Sequence, residues 1–234
     1  MAVLSEFLGL RRDVPLGTSR FVAGAAAGSA ADYEHILAIV PDLTKLAGSG
    51  QVGDLPLNAM ALRVVSWVTE ANLTGQATNY FTWNVLQKRG GALLVNTNTS
   101  TAVGAAGAAT ITPASMANIS VGTSLLVDTG ASQETVVVTA VTATTFTATF
   151  ANTHSSTWNI VSSPLVSVTY SSAPVTETAL TPRQTAALVP NVLLGGDILT
   201  FKRVSSNATG LASPALTVQI DWAPVQGKRP AGLI

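Results

Sequence analysis

From Glu134 to Phe150 the chain reads Glu-Thr-Val-Val-Val-Thr-Ala-Val-Thr-Ala-Thr-Thr-Phe-Thr-Ala-Thr-Phe, with threonine and apolar residues alternating. A period of two sends successive side chains to opposite faces of a strand, so one face carries hydroxyls and the other Val and Phe. A helix would spread the same residues around its axis, and the β-branched Thr and Val side chains lose rotamer freedom there. The stretch is expected to form a hairpin with a solvated Thr face and a buried apolar face.

Weaker alternation recurs along the chain. Leu62, Val64, Ser66 and Val68 oppose Arg63, Val65, Trp67 and Thr69, while Phe81, Trp83 and Val85 oppose Tyr80, Thr82, Asn84 and Leu86. The turn-rich connector 71–76 between them suggests an antiparallel hairpin with aromatics on both faces. Period two resumes at 165–170, 197–204 and 215–222. Strands that are partly apolar on both faces belong in a sandwich.

Charge separates these segments. No Lys or Arg lies between Arg89 and Arg183, and that stretch holds only Asp128, Glu134 and Glu177, a sum of −3. Residues 1–89 carry seven basic and seven acidic groups, and residues 183–234 carry five basic and two acidic, a sum of +3. Fourteen threonines fall within residues 101–163. Such an island between segments of different texture reads as an insertion. Short strands are expected near 119–128, 134–141, 144–150 and 157–161, enough for a small barrel, with 96–110 as a low-complexity linker.

The expected fold is all-β: an antiparallel, jelly-roll-like β-sandwich from residues 58–100 and 162–222. A small Thr-rich β-barrel (101–161) is inserted into it. Residues 1–57 form an extended N-terminal arm containing a short helix at 31–40, and 223–234 a tail. The continuous apolar run Ile36 to Val40 leaves a strand open as the alternative to that helix.

Hydrophobic residues make up 47% of the 234-residue chain and charged residues 10%, with 12 Lys+Arg against 12 Asp+Glu and a mean hydropathy of +0.40. The usual charged share is about 25%. This is the reverse of a disordered composition. It lacks the basic excess of a nucleic-acid binder, and no apolar run approaches the roughly 18 residues of a membrane helix. A chain so poor in charge is expected to cover its surface with copies of itself or with partners. The absence of cysteine removes disulfides, thiol nucleophiles and Cys-ligated metal sites.

Candidate chemistry is sparse. Leu125-Leu-Val-Asp128-Thr129-Gly130 resembles the aspartic-protease signature, in which two carboxylates share a proton, so this single copy would need a homodimer. No apolar-apolar-Gly-Arg segment follows, and Asp-Thr-Gly between strands also makes a turn, which is the preferred reading. His35 and His154 show neither a Ser-His-Asp nor a His-x-x-x-His spacing, and surface or capping roles are expected for both. Lys88-Arg89 and Lys202-Arg203 read as strand-end charges. Trp67, Trp83, Trp158 and Trp222 suit core or interface anchors better than a sugar-stacking platform. No catalytic, cofactor-binding or metal-binding residue is assigned. The candidate interface residues are Leu8, Leu10, Phe21, Trp67, Tyr80, Trp83 and Trp222.

The run from Val121 through Phe150 resembles a small β module that recurs in virion proteins of tailed bacteriophages. Tyr80-Phe-Thr-Trp-Asn-Val-Leu-Gln-Lys-Arg89, Gly196-Asp-Ile-Leu-Thr-Phe-Lys-Arg-Val204 and Gly210-Leu-Ala-Ser-Pro-Ala-Leu-Thr-Val-Gln219 resemble phage accessory proteins. The resemblance covers about half the chain and is closest to head decoration (cement) and head-fibre proteins. It implies a structural protein on the capsid surface of a virion. Its partners would be a major capsid protein and itself, as a homotrimer, with no cofactor, nucleic acid or membrane. A tail or baseplate module binding host carbohydrate is the alternative it leaves open.

Overall fold

Period-two patterning becomes strand along most of the chain. The computed structural model describes residues 17–23, 33–40, 59–71, 73–74, 77–170, 176–185, 193–206, 212 and 215–224. In chain order the first strands are β1 (Gly17–Ala23), β2 (Tyr33–Ile39), β3 (Ala59–Thr69), β4 (Leu73–Thr74), β5 (Phe81–Arg89), β6 (Ala92–Leu93), β7 (Asn96–Thr99), β8 (Gly107–Ile111) and β9 (Ser124–Val127). They are followed by β10 (Glu134–Val141), β11 (Phe146–Phe150), β12 (Trp158–Ser162), β13 (Val166–Tyr170), β14 (Thr176–Glu177), β15 (Arg183–Thr185), β16 (Leu193–Leu194), β17 (Ile198–Ser205) and β18 (Leu216–Pro224). The fold is all-β and antiparallel.

The chain divides into two compact units, Met1–Val85 with Val166–Ile234, and Leu86–Leu165. The charge-poor island is thus an insertion. Its limits are wider than 101–161, and residues 96–110, expected to be linker, supply β7 and all but the last residue of β8. Low complexity misleads there: Asn-Thr-Asn-Thr and Gly-Ala-Ala-Thr-Ile pair through their backbones with β12 and β11.

The first unit is a sandwich. One sheet has the order β1-β18-β3-β15, with β16 also on β3, and the other the order β13-β5-β17-β2. The residues 61–70 and 79–88 therefore do not form a hairpin. They fall in β3 and β5, one in each sheet, because alternation specifies which face is buried and says nothing of the pairing partner. Their apolar faces meet instead. Val65 and Trp67 of β3 are buried, as are Phe81, Trp83 and Val85 of β5. The Trp67 and Trp83 rings pack edge to face with centroids 5.1 Å apart, and Trp83 stacks on Phe201 at 5.6 Å.

Residues 33–39, expected to be helical, form strand β2 on β17, so the strand alternative holds. Ile198 pairs with Ile39, Leu199 with Ala38 and Thr200 with Ile36, leaving Leu37 as the extra residue of a bulge. The continuous apolar run that made the segment ambiguous is what a bulged edge strand requires, with Leu37 and Ala38 both buried.

In the inserted unit the sheet order is β7-β12-β9-β10-β11-β8. The sheet curls until β7 meets the chain just past β8. There the Ala114 N–H donates to the Asn98 carbonyl at 2.8 Å, and the Thr99 hydroxyl donates to the Thr112 carbonyl at 2.7 Å. The Thr101 and Thr97 hydroxyls accept from the N–H groups of Thr112 and Ser115. Threonine hydroxyls thus do part of the work of a backbone ladder along the seam. Inside lie Val95, Val103, Ile111, Leu125, Val127, Val136, Val138, Phe146, Phe150, Trp158 and Ile160.

The seam is testable. Thr99 is buried, and its oxygen also accepts the Thr101 N–H at 3.0 Å. Thr99→Val keeps the shape and leaves both partners unsatisfied, which is expected to cost about 1–3 kcal/mol in chemical denaturation.

Candidate functional site

The one cluster of ionisable side chains in the inserted unit is built on a turn. After β9 the chain enters Asp128 with φ +61°, a left-handed conformation that Asp tolerates because its carboxylate can bond locally. Asp128 Oδ1 accepts the Thr129 N–H at 2.8 Å. Gly130, at φ +62°, opens a 3-10 turn over Gly130–Ser132, and β10 begins at Glu134, paired with Val127. Asp128 and Glu134 therefore stand at the two feet of one turn.

The connection between β11 and β12 brings His154 between them. Its backbone is fixed by reciprocal bonds with Val103, 2.8 Å from the Val103 N–H and 3.0 Å to the Val103 carbonyl. Its ring lies 5.4 Å from Phe150 and 4.9 Å from Trp158, centroid to centroid. His154 Nδ1 is 2.8 Å from Asp128 Oδ2, and Nε2 is 2.8 Å from Glu134 Oε1. Each ring nitrogen thus faces one carboxylate oxygen at hydrogen-bonding distance, with the donor at each contact set by the tautomer. The His154 side chain is 0% exposed, that of Asp128 19% and that of Glu134 11%.

Each carboxylate has further donors. Glu134 Oε2 accepts the Ala151 N–H at 2.7 Å, and Oε1 accepts the Asn152 N–H at 2.9 Å. The hydrogen bond from His154 holds the Asp128 carboxyl below the usual range, against the opposing effect of burial and with further help from the Thr129 N–H. Burial pushes the Glu134 carboxyl up, but the Ala151 and Asn152 N–H groups and the His154 ring outweigh it, and the net direction is down.

A general base needs one ring nitrogen open to substrate. Here both are engaged and the ring is enclosed, so the cluster acts as a clamp joining the β9–β10 turn to the β11–β12 connection. Because the two carboxylates lie on opposite nitrogens, the donors do not converge on a common point. No group of three or more His, Cys, Asp or Glu suited to a metal ion occurs among the described residues.

The sequence expectations fare unevenly here. Asp-Thr-Gly does form the turn, with its carboxylate bonded to the local backbone and to His154. Of the surface or capping role expected of His154, the surface one is wrong: the ring is buried, with both nitrogens at carboxylate oxygens. His35 is exposed. Arg203 lies within β17 and not at a strand end, fully buried with its guanidinium 5.0 Å from the centre of the Phe81 ring. Of the interface candidates, Trp67 and Trp83 are interior to the sandwich, and Tyr80 is half-buried. The backbone of Phe21 pairs with Val218 and that of Trp222 with Gly17 and Leu62. The side chains of Phe21 and Trp222, together with Leu8 and Leu10, lie outside the described residues. Trp158 is buried and donates its indole N–H to the Thr101 carbonyl at 2.9 Å, so it offers no stacking face to a sugar.

The clamp was not anticipated from sequence, although a signal existed. Asp128, Glu134 and His154 are the only acidic, basic or histidine side chains from residue 90 to 165. In a segment so poor in charge they have few partners except one another.

No protein-family model, curated protein or solved structure matches the chain. Among the described residues no helix is long and apolar enough to cross a membrane.

His154→Ala leaves two carboxylates facing an emptied, partly buried site, and a loss on the order of 3 kcal/mol is expected in urea denaturation at neutral pH. The pH dependence follows from the direction of the shifts. Carboxyls lowered on folding stabilise the protein above their unfolded values, and that contribution is lost as pH falls through the folded ones. The wild-type denaturation midpoint should therefore fall below about pH 4, within and under the ordinary carboxyl range. The fall should be shallower in Glu134→Gln, and equal slopes would show that the clamp does not set the acid limit.

Proposed function

We propose that this chain is a structural protein of a tailed-phage virion, of the head-decoration type. In this reading it is a homotrimer that binds the outer surface of a shell of major capsid protein and reinforces it without catalysis. The observation that supports this most is the condition of the inserted barrel. Its apolar side chains fill its interior, and its buried histidine and two carboxylates are turned on one another. What stands exposed from residue 90 to 165 is mainly hydroxyl, amide and small aliphatic side chain, with no Lys or Arg. A surface of this kind interacts by area and shape, and interactions of that sort become strong when many copies engage one lattice. The resemblance of residues 121–150 and of the flanking segments 80–89, 196–204 and 210–219 to phage virion proteins points the same way.

Immunogold labelling of virions from a phage that encodes the chain tests the reading. Label over the head surface, and co-sedimentation of the purified protein with heads lacking it, are expected. Label confined to the tail tip would replace the reading with the host-adhesion alternative, and no label on virions would end both.

A further inference from the structure

A neutral imidazole carries one N–H, and an ionised carboxylate carries none. His154 Nδ1 and Nε2 each lie 2.8 Å from a carboxylate oxygen, of Asp128 and Glu134 respectively. A neutral ring between two ionised carboxylates can bond only one of them. At the other, a nitrogen lone pair would face an anionic oxygen, and the enclosed ring, 0% exposed, cannot turn that lone pair to solvent. Closing both contacts therefore takes two protons shared over the cluster, whichever member carries the second.

The surroundings offer no substitute. No other acidic, basic or histidine side chain lies between residues 90 and 165. The ring packs against the uncharged rings of Phe150 and Trp158, and its backbone pairs with that of Val103. The two contacts are also unequally anchored. Asp128 takes one backbone N–H, from Thr129, whereas Glu134 takes two, from Ala151 and Asn152. When one of the two protons leaves to solvent, the Asp128 contact is the one that parts.

We propose that the Asp128–His154–Glu134 cluster is a proton-operated latch, closed while two protons are shared over its two contacts and open at Asp128 once one is lost as pH rises. Opening frees the β9–β10 turn from the β11–β12 connection. The latch works on the basic side, opposite to the acid limit set by the carboxyls, and does not depend on where the chain resides. Its sign follows from the proton count. Above the range of ordinary imidazole the unfolded segment holds one ring proton and the closed cluster two, so the contribution to stability is lost as pH rises through the titration of the closed cluster.

Hydrogen exchange of the full chain between about pH 6 and about pH 9 tests the latch. Mass spectrometry would follow the segments 128–133 and 151–157, with each rate corrected for intrinsic exchange at that pH. Protection in the wild type should fall as pH rises, by up to about tenfold per pH unit, the limit for a single proton. Asp128→Asn is the decisive variant. Asn suits the left-handed backbone at this position, φ +61°, and its carbonyl can keep the Thr129 N–H. Its amide NH2 can donate to Nδ1 of a neutral ring whose Nε2–H donates to Glu134, so both contacts close without the second proton. Protection in this variant should stay level within about twofold over the same range and exceed that of the wild type at the basic end, a reversal that simple damage to the turn does not produce. Level protection in the wild type overturns the latch, and so does a fall in Asp128→Asn as steep as that of the wild type. If the variant loses its β circular-dichroism spectrum, the wild-type series decides alone.

Discussion

Between residues 90 and 165 one histidine and two carboxylates are bound to one another, and that closure ties the β9–β10 turn to the β11–β12 connection of the inserted unit. A unit of this size has a modest core and gains little from burial beyond what ordering the chain costs. The clamp acts where the core cannot. It fixes the β11–β12 connection, which has little apolar content of its own between Phe150 and Trp158, against the turn that sets the register of β9 and β10. A one-residue slip of β10 would move Glu134 off the ring and expose Val136 and Val138, so the polar and apolar specifications of register agree.

A buried ion cluster is weak evidence for net stability, since apolar residues of similar volume often do as well. Its value here is better sought in uniqueness. The apolar interior is filled mainly by Val, Ile and Phe, whose packing is not directional, and the seam is held by several separate Thr hydroxyls. Against that background the three-membered cluster is the part with a single solution. Two nitrogens at fixed spacing must meet two carboxylates, and the carboxylates are themselves fixed by the N–H groups of Thr129, Ala151 and Asn152.

What the sequence made legible follows the same division. Alternation along 134–150 identified two strands and their buried faces, because side-chain period is a local property. Asp128-Thr129-Gly130 identified a turn for the same reason. The pairing of 61–70 with 79–88 was misjudged, since Trp67 and Trp83 declare an apolar face without declaring whether it lies beside or across from another. The strands at 96–99 and 107–111 were hidden because Asn, Gly and Ala carry little strand preference, and their pairing is imposed by β12 and β11. The burial of His154 is not legible because it lies 26 positions from Asp128 and 20 from Glu134, distances that only tertiary structure closes.

The two units settle their side chains in opposite ways. In the barrel, polar and ionisable groups are satisfied internally, and Val121, Val137 and Val141 are its only large hydrophobics left well exposed among the described residues. In the sandwich, a bulge turns Ile36 and Ile39 outward and Leu180, at φ +56°, stands in water, features that lower the stability of an isolated chain. A fold tends to retain such local conflicts where something beyond its own stability depends on them. The charge-poor composition is thus not one property but two. In the barrel the few ionisable groups are bonded to one another, and in the sandwich it coincides with apolar surface left uncovered.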